Sequence, residues 1–155
     1  VAALNAAGRP AVLDVIGRFG WGDETEKLKA APHVTLHGYL EPDAARALIG
    51  AAHILISTSK DEGLGLTLLE AQHAGLEVVA TDMPVFREVL GDSGLLVDPA
   101  RPEAAAASVL ALLAGSDPGE RATRALDNVA RWNTAAERDR ADVIARLAAK
   151  LAGGR

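Results

Sequence analysis

Cysteine is absent from this 155-residue chain. That excludes a disulfide scaffold, a zinc site built on thiolates, and thiol catalysis. Aromatic residues make up only 3% of the sequence, and the formal charge is −5. An acidic chain with few rings to stack on bases is a poor nucleic-acid binder. No apolar run approaches the roughly 20 residues of a membrane span. The His residues, His33, His37, His53 and His73, have no metal-ligand spacing and read as strand or helix residues. What remains is an ordinary soluble composition, 49% hydrophobic and 24% charged, with 15 Gly and much Ala. The length suits one domain with a real core.

Short apolar runs alternate with helix-period segments. Val12–Ile16, Val34–His37, Ile54–Ile56, Val78–Ala80 and Leu95–Val97 read as strands. They are continuous rather than alternating, which suits strands buried on both faces of a parallel sheet. Between them lie helix signals. Asp23-Glu-Thr-Glu26 resembles a capping box, and Pro42, Pro102 and Pro118 suit first-turn positions. Gly75, Gly91 and Gly115 suit helix ends. Thr134-Ala-Ala-Glu137 is expected to cap a closing helix over about 134–151 that buries Val143, Ile144, Leu147 and Leu151. The expected fold is α/β, a Rossmann-like doubly wound parallel sheet. Ligands of such sheets bind at the carboxyl ends of the strands. Gly17-Arg18, Gly38-Tyr39, Ser57 to Gly65 and Thr81 are therefore expected on one edge.

Two segments at that edge have the composition for chemistry. Gly17-Arg-Phe-Gly20-Trp-Gly22 follows a strand and precedes a helix, but its glycine order reverses the dinucleotide fingerprint. It reads either as a glycine-rich turn lidded by Trp21 or as a ligand-lining loop. Ser59-Lys-Asp-Glu62-Gly-Leu-Gly65-Leu-Thr-Leu-Leu-Glu70 joins a strand end to a helix start. Free N–H groups at that helix start make an anion site, and glycines let the backbone approach a ligand. Glu62 and Glu70 flank it, and carboxylates accept hydrogen bonds from vicinal hydroxyls. A sugar phosphate fits this arrangement. From spacing alone, the two glutamates also fit as charges that favour a helix N-terminus. Arg87-Glu88 either faces the ligand edge or forms a local ion pair.

The Glu62-x7-Glu70 spacing, with Gly-x-Gly-Leu and Glu-Ala inside it, resembles the E-x7-E signature of retaining GT-B glycosyltransferases of family 4, glycosyl transferases group 1. Further landmarks follow in order: Leu13 to Arg18, Val34 to Leu40, Ala51 to Ile56, Ala74-Gly75 with Val78 to Ala80, Arg87 to Val89, Gly94 to Pro99, and Ala130-Arg131-Trp132. The departures from the family pattern are Leu64 for Phe, and Thr58, Thr67 and Glu77 for Pro; none removes a polar group.

The resemblance implies the C-terminal half of a GT-B fold: a nucleotide-sugar donor-binding domain of a hexosyltransferase that keeps anomeric configuration. It implies Glu62 as the catalytic carboxylate on the donor sugar's hydroxyls. Gly63, Leu64, Gly65, Leu66 and Thr67 would meet sugar and phosphate, and Glu70 the ribose. Gly17 and Arg18 would line the phosphate side, and Gly38, Tyr39 and Leu40 the base. No metal and no cofactor are implied beyond the nucleoside-diphosphate sugar itself. The family's Arg and Lys for the diphosphate would precede Val1, as would an N-terminal acceptor-binding domain. The chain is thus expected to be one N-terminally truncated domain, residues 1–155, inactive alone and active in a full-length enzyme. A cytoplasmic location follows, with membrane association through the absent domain left open. Two alternatives stand beside this reading: a nucleotide-sugar epimerase of the same architecture, and a non-catalytic flavodoxin-like binding domain.

Overall fold

A computed structural model describes residues 1–18, 24–115 and 117–153. The chain runs α1 (Ala2–Ala6), β1 (Leu13–Ile16), α2 (Glu24–Ala30), β2 (Val34–Gly38), α3 (Pro42–Ala51), β3 (Ile54–Ser57), α4 (Leu66–His73), β4 (Glu77–Thr81), α5 (Pro84–Leu90), β5 (Leu95–Val97), α6 (Pro102–Gly115) and α7 (Pro118–Gly153). The apolar runs form strands where the sequence places them. Every pairing is parallel. Parallel neighbours need a crossover, and α2, α4 and α5 supply it.

Alternation along β4 explains the layers. Val78 and Ala80 point into a cluster with Leu68, Ala71, Phe86, Val89 and Leu90 from α4 and α5. Val79 points the other way, to Leu4 of α1 and Val109 of α6. Helices therefore cover both faces of β4, which is why its central residues are buried. Phe86, Leu68 and Leu90 are almost wholly enclosed. Each such side chain contributes about 1.5–3 kcal/mol of transfer free energy.

The strands make two sheets rather than one continuous sheet. β1 pairs with β2, and β3-β4-β5 form the other sheet. Among the described residues, β1 and β3 each have one pairing neighbour and one open edge. The expected burial on both faces fails at β1 and β3. β1 alternates between half-buried and exposed, and Ile56 on β3 is 45% exposed. The accessible surface is 10669 Å². A compact chain of 16.0 kDa is expected to expose about 7,400 Å².

The expected break at Thr134 does not occur. α7 is one 36-residue helix, in which the Thr134 hydroxyl donates to the Ala130 carbonyl at 2.9 Å. Threonine can spend its hydroxyl one turn back inside a helix as well as at its start. Val143, Ile144 and Leu147 are more than half exposed, and Leu151 is 79% exposed. Their spacing makes an apolar stripe, but no described element covers it. Helix α7 begins as expected, with Asp117 Oδ1 accepting from the N–H groups of Gly119 and Glu120. No described helix is long and apolar enough to cross a membrane.

Candidate functional site

The carboxyl ends of the strands carry the predicted residues in two groups. At the first sheet, the Gly17 N–H donates to the Gly38 carbonyl at 2.8 Å. Gly17 and Gly38 have φ of 128° and 67°, so both turns need glycine. Arg18 is exposed beside them, Tyr39 is 63% exposed, and Leu40 is half-buried. Gly20, Trp21, Gly22 and Asp23 lie outside the described residues.

At the second sheet, Ser57 ends β3 and the Thr81 hydroxyl reaches its carbonyl at 3.5 Å. The loop then runs to Gly65, which starts α4 in the left-handed conformation, φ 70° and ψ 33°. No side chain caps this helix start. Its first N–H groups, those of Leu66 and Thr67, therefore have no side-chain partner and sit on an exposed surface. Gly65 itself is buried. A Cβ there would meet Phe86 ring carbons at 3.2 and 3.3 Å. At Gly63 a Cβ would meet nothing within 4 Å, so the space above it is open. The half-buried Glu62 turns Oε1 back onto the Gly63 N–H at 3.1 Å. Glu70 lies one turn further along α4 and is exposed.

The arrangement can hold an anion at the α4 start with a carboxylate on each side. Leu64 and Leu66, about half exposed, give it an apolar rim. Phe86 was not legible as part of this site, because nothing in the sequence shows which ring lies under Gly65. Among the described residues no hydrogen bond joins the Gly17–Arg18 group to the Glu62–Glu70 group.

Beyond β4, Arg87 grips Asp82 with two bonds, at 2.5 and 2.8 Å. Of the two roles open to Arg87, the local ion pair is the one observed. The Arg87 hydrogen bond holds the Asp82 carboxyl below its ordinary range, and Asp82 in turn raises Arg87. The Ala100 N–H, then Arg101, do the same for Asp98. An open cavity of about 220 Å³ lies against Asp82, Val97, Asp98, Arg101 and Ser108 and touches none of the predicted site residues. His37 pairs with Asp14 at 2.7 Å, and His33 is a turn residue with φ 62°.

The profile of the family described as Glycosyl transferases group 1 matches residues 1–115. The chain belongs to that family. This group 1 chain is 32% identical over 103 residues to O-antigen chain mannosyltransferase B of Escherichia coli, covering 63% of the chain and 27% of the relative. It is 37% identical over 91 residues to GDP-mannose:cellobiosyl-diphosphopolyprenol alpha-mannosyltransferase of Xanthomonas campestris, covering 56% and 24%. It thus spans about a quarter of these relatives' length.

Its fold is that of GT-B glycosyltransferases. The pneumococcal O-GlcNAc transferase GtfA, solved with UDP and GlcNAc, superposes with a TM-score of 0.61 at 19% identity, over 88% of this chain and 31% of that one. Anabaena Alr3699/HepE, solved with UDP and glucose, gives 0.62 at 23% identity, over 83% and 37%.

Proposed function

We propose that this chain is the donor-binding domain of a retaining hexosyltransferase that uses a nucleoside-diphosphate sugar. The observation that carries the reading is the uncapped, exposed start of α4 at the left-handed Gly65, with Glu62 before it and Glu70 after it. Mannosyltransferases among the relatives support a hexose, and a relative whose name specifies GDP-mannose makes GDP-mannose the first donor to test.

In this reading the donor diphosphate meets the N–H groups of Gly63 to Thr67, whose dipoles favour the charge that develops on the leaving group. Glu62 exchanges its bond to the Gly63 N–H for hydroxyls of the donor sugar. Glu70 accepts from the ribose, Gly17 and Arg18 line the phosphate side, and the base lies over Gly38 to Leu40. The helix start supplies partial positive charge without a metal. The acceptor, and the basic pair for the diphosphate, belong to a preceding part of the same protein, so residues 1–155 alone bind donor without transferring it.

Glu62 and Glu70 separate the roles. Hydrogen bonds to a charged group contribute about 1.5–3 kcal/mol, roughly 10- to 150-fold in affinity. Glu70→Ala should weaken both free nucleoside diphosphate and sugar nucleotide in calorimetry. Glu62→Ala should spare the free diphosphate and weaken the sugar nucleotide, with turnover falling in the full-length enzyme. Wild-type affinity of both variants for both ligands would reduce the two carboxylates to helix-end charges.

A further inference from the structure

Three helices meet over a buried polar cluster that touches no candidate ligand position. Gln72 on α4 is fully buried, and Ser93 and Asn128 are 9% and 6% exposed. The Gln72 amide donates to the Ser93 carbonyl at 2.9 Å and to its hydroxyl at 2.8 Å. The Asn128 amide, from α7, donates to Gln72 Oε1 at 2.7 Å and to the Val89 carbonyl at 3.0 Å. The Ser93 hydroxyl closes on the Leu90 carbonyl at 2.6 Å. Val89 also accepts from Arg131 at 3.1 Å and from the Trp132 indole at 2.8 Å. The end of α5 is thus capped by α7, and α4 is tied to both. Among the described residues no buried side-chain polar atom is left without a partner.

Apolar residues of the same size could fill this space without the desolvation cost of amides. What hydrogen bonds add is direction: each is satisfied in one helix rotation and one axial register. Gln72 shares a face of α4 with Leu68, one turn earlier, so it fixes which way the first turn of α4 presents its N–H groups. It stands six residues beyond Leu66, about 9 Å along the axis, too far to touch an anion at the helix start. The second arm runs through α5. Asn128, Arg131 and Trp132 hold its carboxyl end, and Phe86 near its start is the ring directly under Gly65. The helix and the floor beneath its first residue are therefore held by the same side chains.

We propose that Gln72 and Asn128 are positioning residues for the donor site, setting the backbone of Gly63 to Thr67 through α4 and α5. The proposal rests on the donor reading above. Gln72→Met should lower thermal stability and the affinity for GDP or UDP together. Gln72→Met/Asn128→Leu removes both amides of the Gln72–Asn128 bond but leaves the Ser93 carbonyl without its Gln72 donor, and should recover part of the stability. If the network positions the loop, the double variant still binds nucleoside diphosphate at least about tenfold more weakly. Amide exchange at Leu68, whose N–H donates to the Gly65 carbonyl at 3.0 Å in the first turn of α4, stays faster by a similar factor in the ligand-free protein.

Wild-type affinity and wild-type exchange in the double variant would overturn the proposal and leave the network a purely stabilising one. If the unaltered protein binds neither GDP nor UDP, the donor reading fails by itself, and amide exchange alone decides the positioning claim. If the double variant does not fold, Ser93→Ala removes one acceptor of Gln72 with little loss of packing. It should then change exchange at Leu68 in the same direction, and no change would overturn the claim.

Discussion

Replacing Gly65 by Ala adds one carbon where two constraints coincide. The residue sits at φ 70°, where an L-residue with a side chain costs about 1–2 kcal/mol. Its new methyl would lie 3.2 and 3.3 Å from ring carbons of Phe86, which is 1% exposed and packed in the main core cluster. The ring cannot swing away without opening that cluster, so overpacking adds about 1 kcal/mol. The sum is about 2–3 kcal/mol, and each kcal/mol shifts the melting midpoint by roughly 2–4 °C at this size. Gly65→Ala should thus melt about 4–12 °C below the unaltered protein. Gly63→Ala is the control, with open space and ordinary φ, and should stay within about 0.5 kcal/mol. Gly65→Asn should fall between them, because asparagine tolerates the left-handed region while keeping the contact with Phe86. Calorimetric melting of the three variants reads the order directly. Equal midpoints for Gly65→Ala and Gly63→Ala would refute both the strain and the contact.

Arg121 on α7 meets Glu77 on β4 at 2.5 Å, with side chains 9% and 18% exposed. Arg121→Met strands the carboxylate and should cost roughly 3 kcal/mol in urea unfolding, whereas Arg121→Met/Glu77→Leu should recover most of it. Asp82 has a native pKa below its ordinary 3.8, held there by Arg87. Its contribution to stability is complete above that value and is lost as pH falls through the depressed one, so Asp82→Asn should flatten the acid limb of stability against pH, measured by urea unfolding. Leu147→Glu, on the exposed stripe of α7, should leave the unfolding free energy of this chain within about 0.5 kcal/mol of unaltered.

The strands were readable because Val, Ile and Leu cluster in short runs bounded by Gly, Pro and Asp, and the helix starts because Pro and Asp mark first turns. The Glu62-x7-Glu70 segment was readable for the same reason: the chemistry and the local structure occupy one stretch of chain. Burial was less legible. The apolar run at Ile54 to Ile56 shows that a strand can be covered, but says nothing of whether a neighbour does so. The same holds for Val143 to Leu151, where helical spacing makes a stripe without naming its cover. Thr134 to Glu137 has the composition of a cap, yet with helix formers on both sides the backbone runs through. The meeting of Gln72, Ser93, Asn128 and Trp132 depends on tertiary packing, and nothing local announces it.

Beyond Trp132 every side chain of α7 whose exposure is described faces water, and an ion pair between Asp142 and Arg146 is the kind of support that remains. A helical segment of about 20 residues without tertiary contacts is marginal in water and relaxes between helix and coil in roughly 0.1–1 μs. The two halves of one continuous helix therefore belong to different cooperative units. Amides up to Trp132 open only with the core, while those of the distal half exchange with little protection. Trypsin should cut at Arg138, Arg140 or Arg146 first and leave the folded body intact. Any partner that covers Val143, Ile144, Leu147 and Leu151 must also order the backbone that carries them, so its affinity should respond to helix-favouring changes on the opposite face, which it never touches.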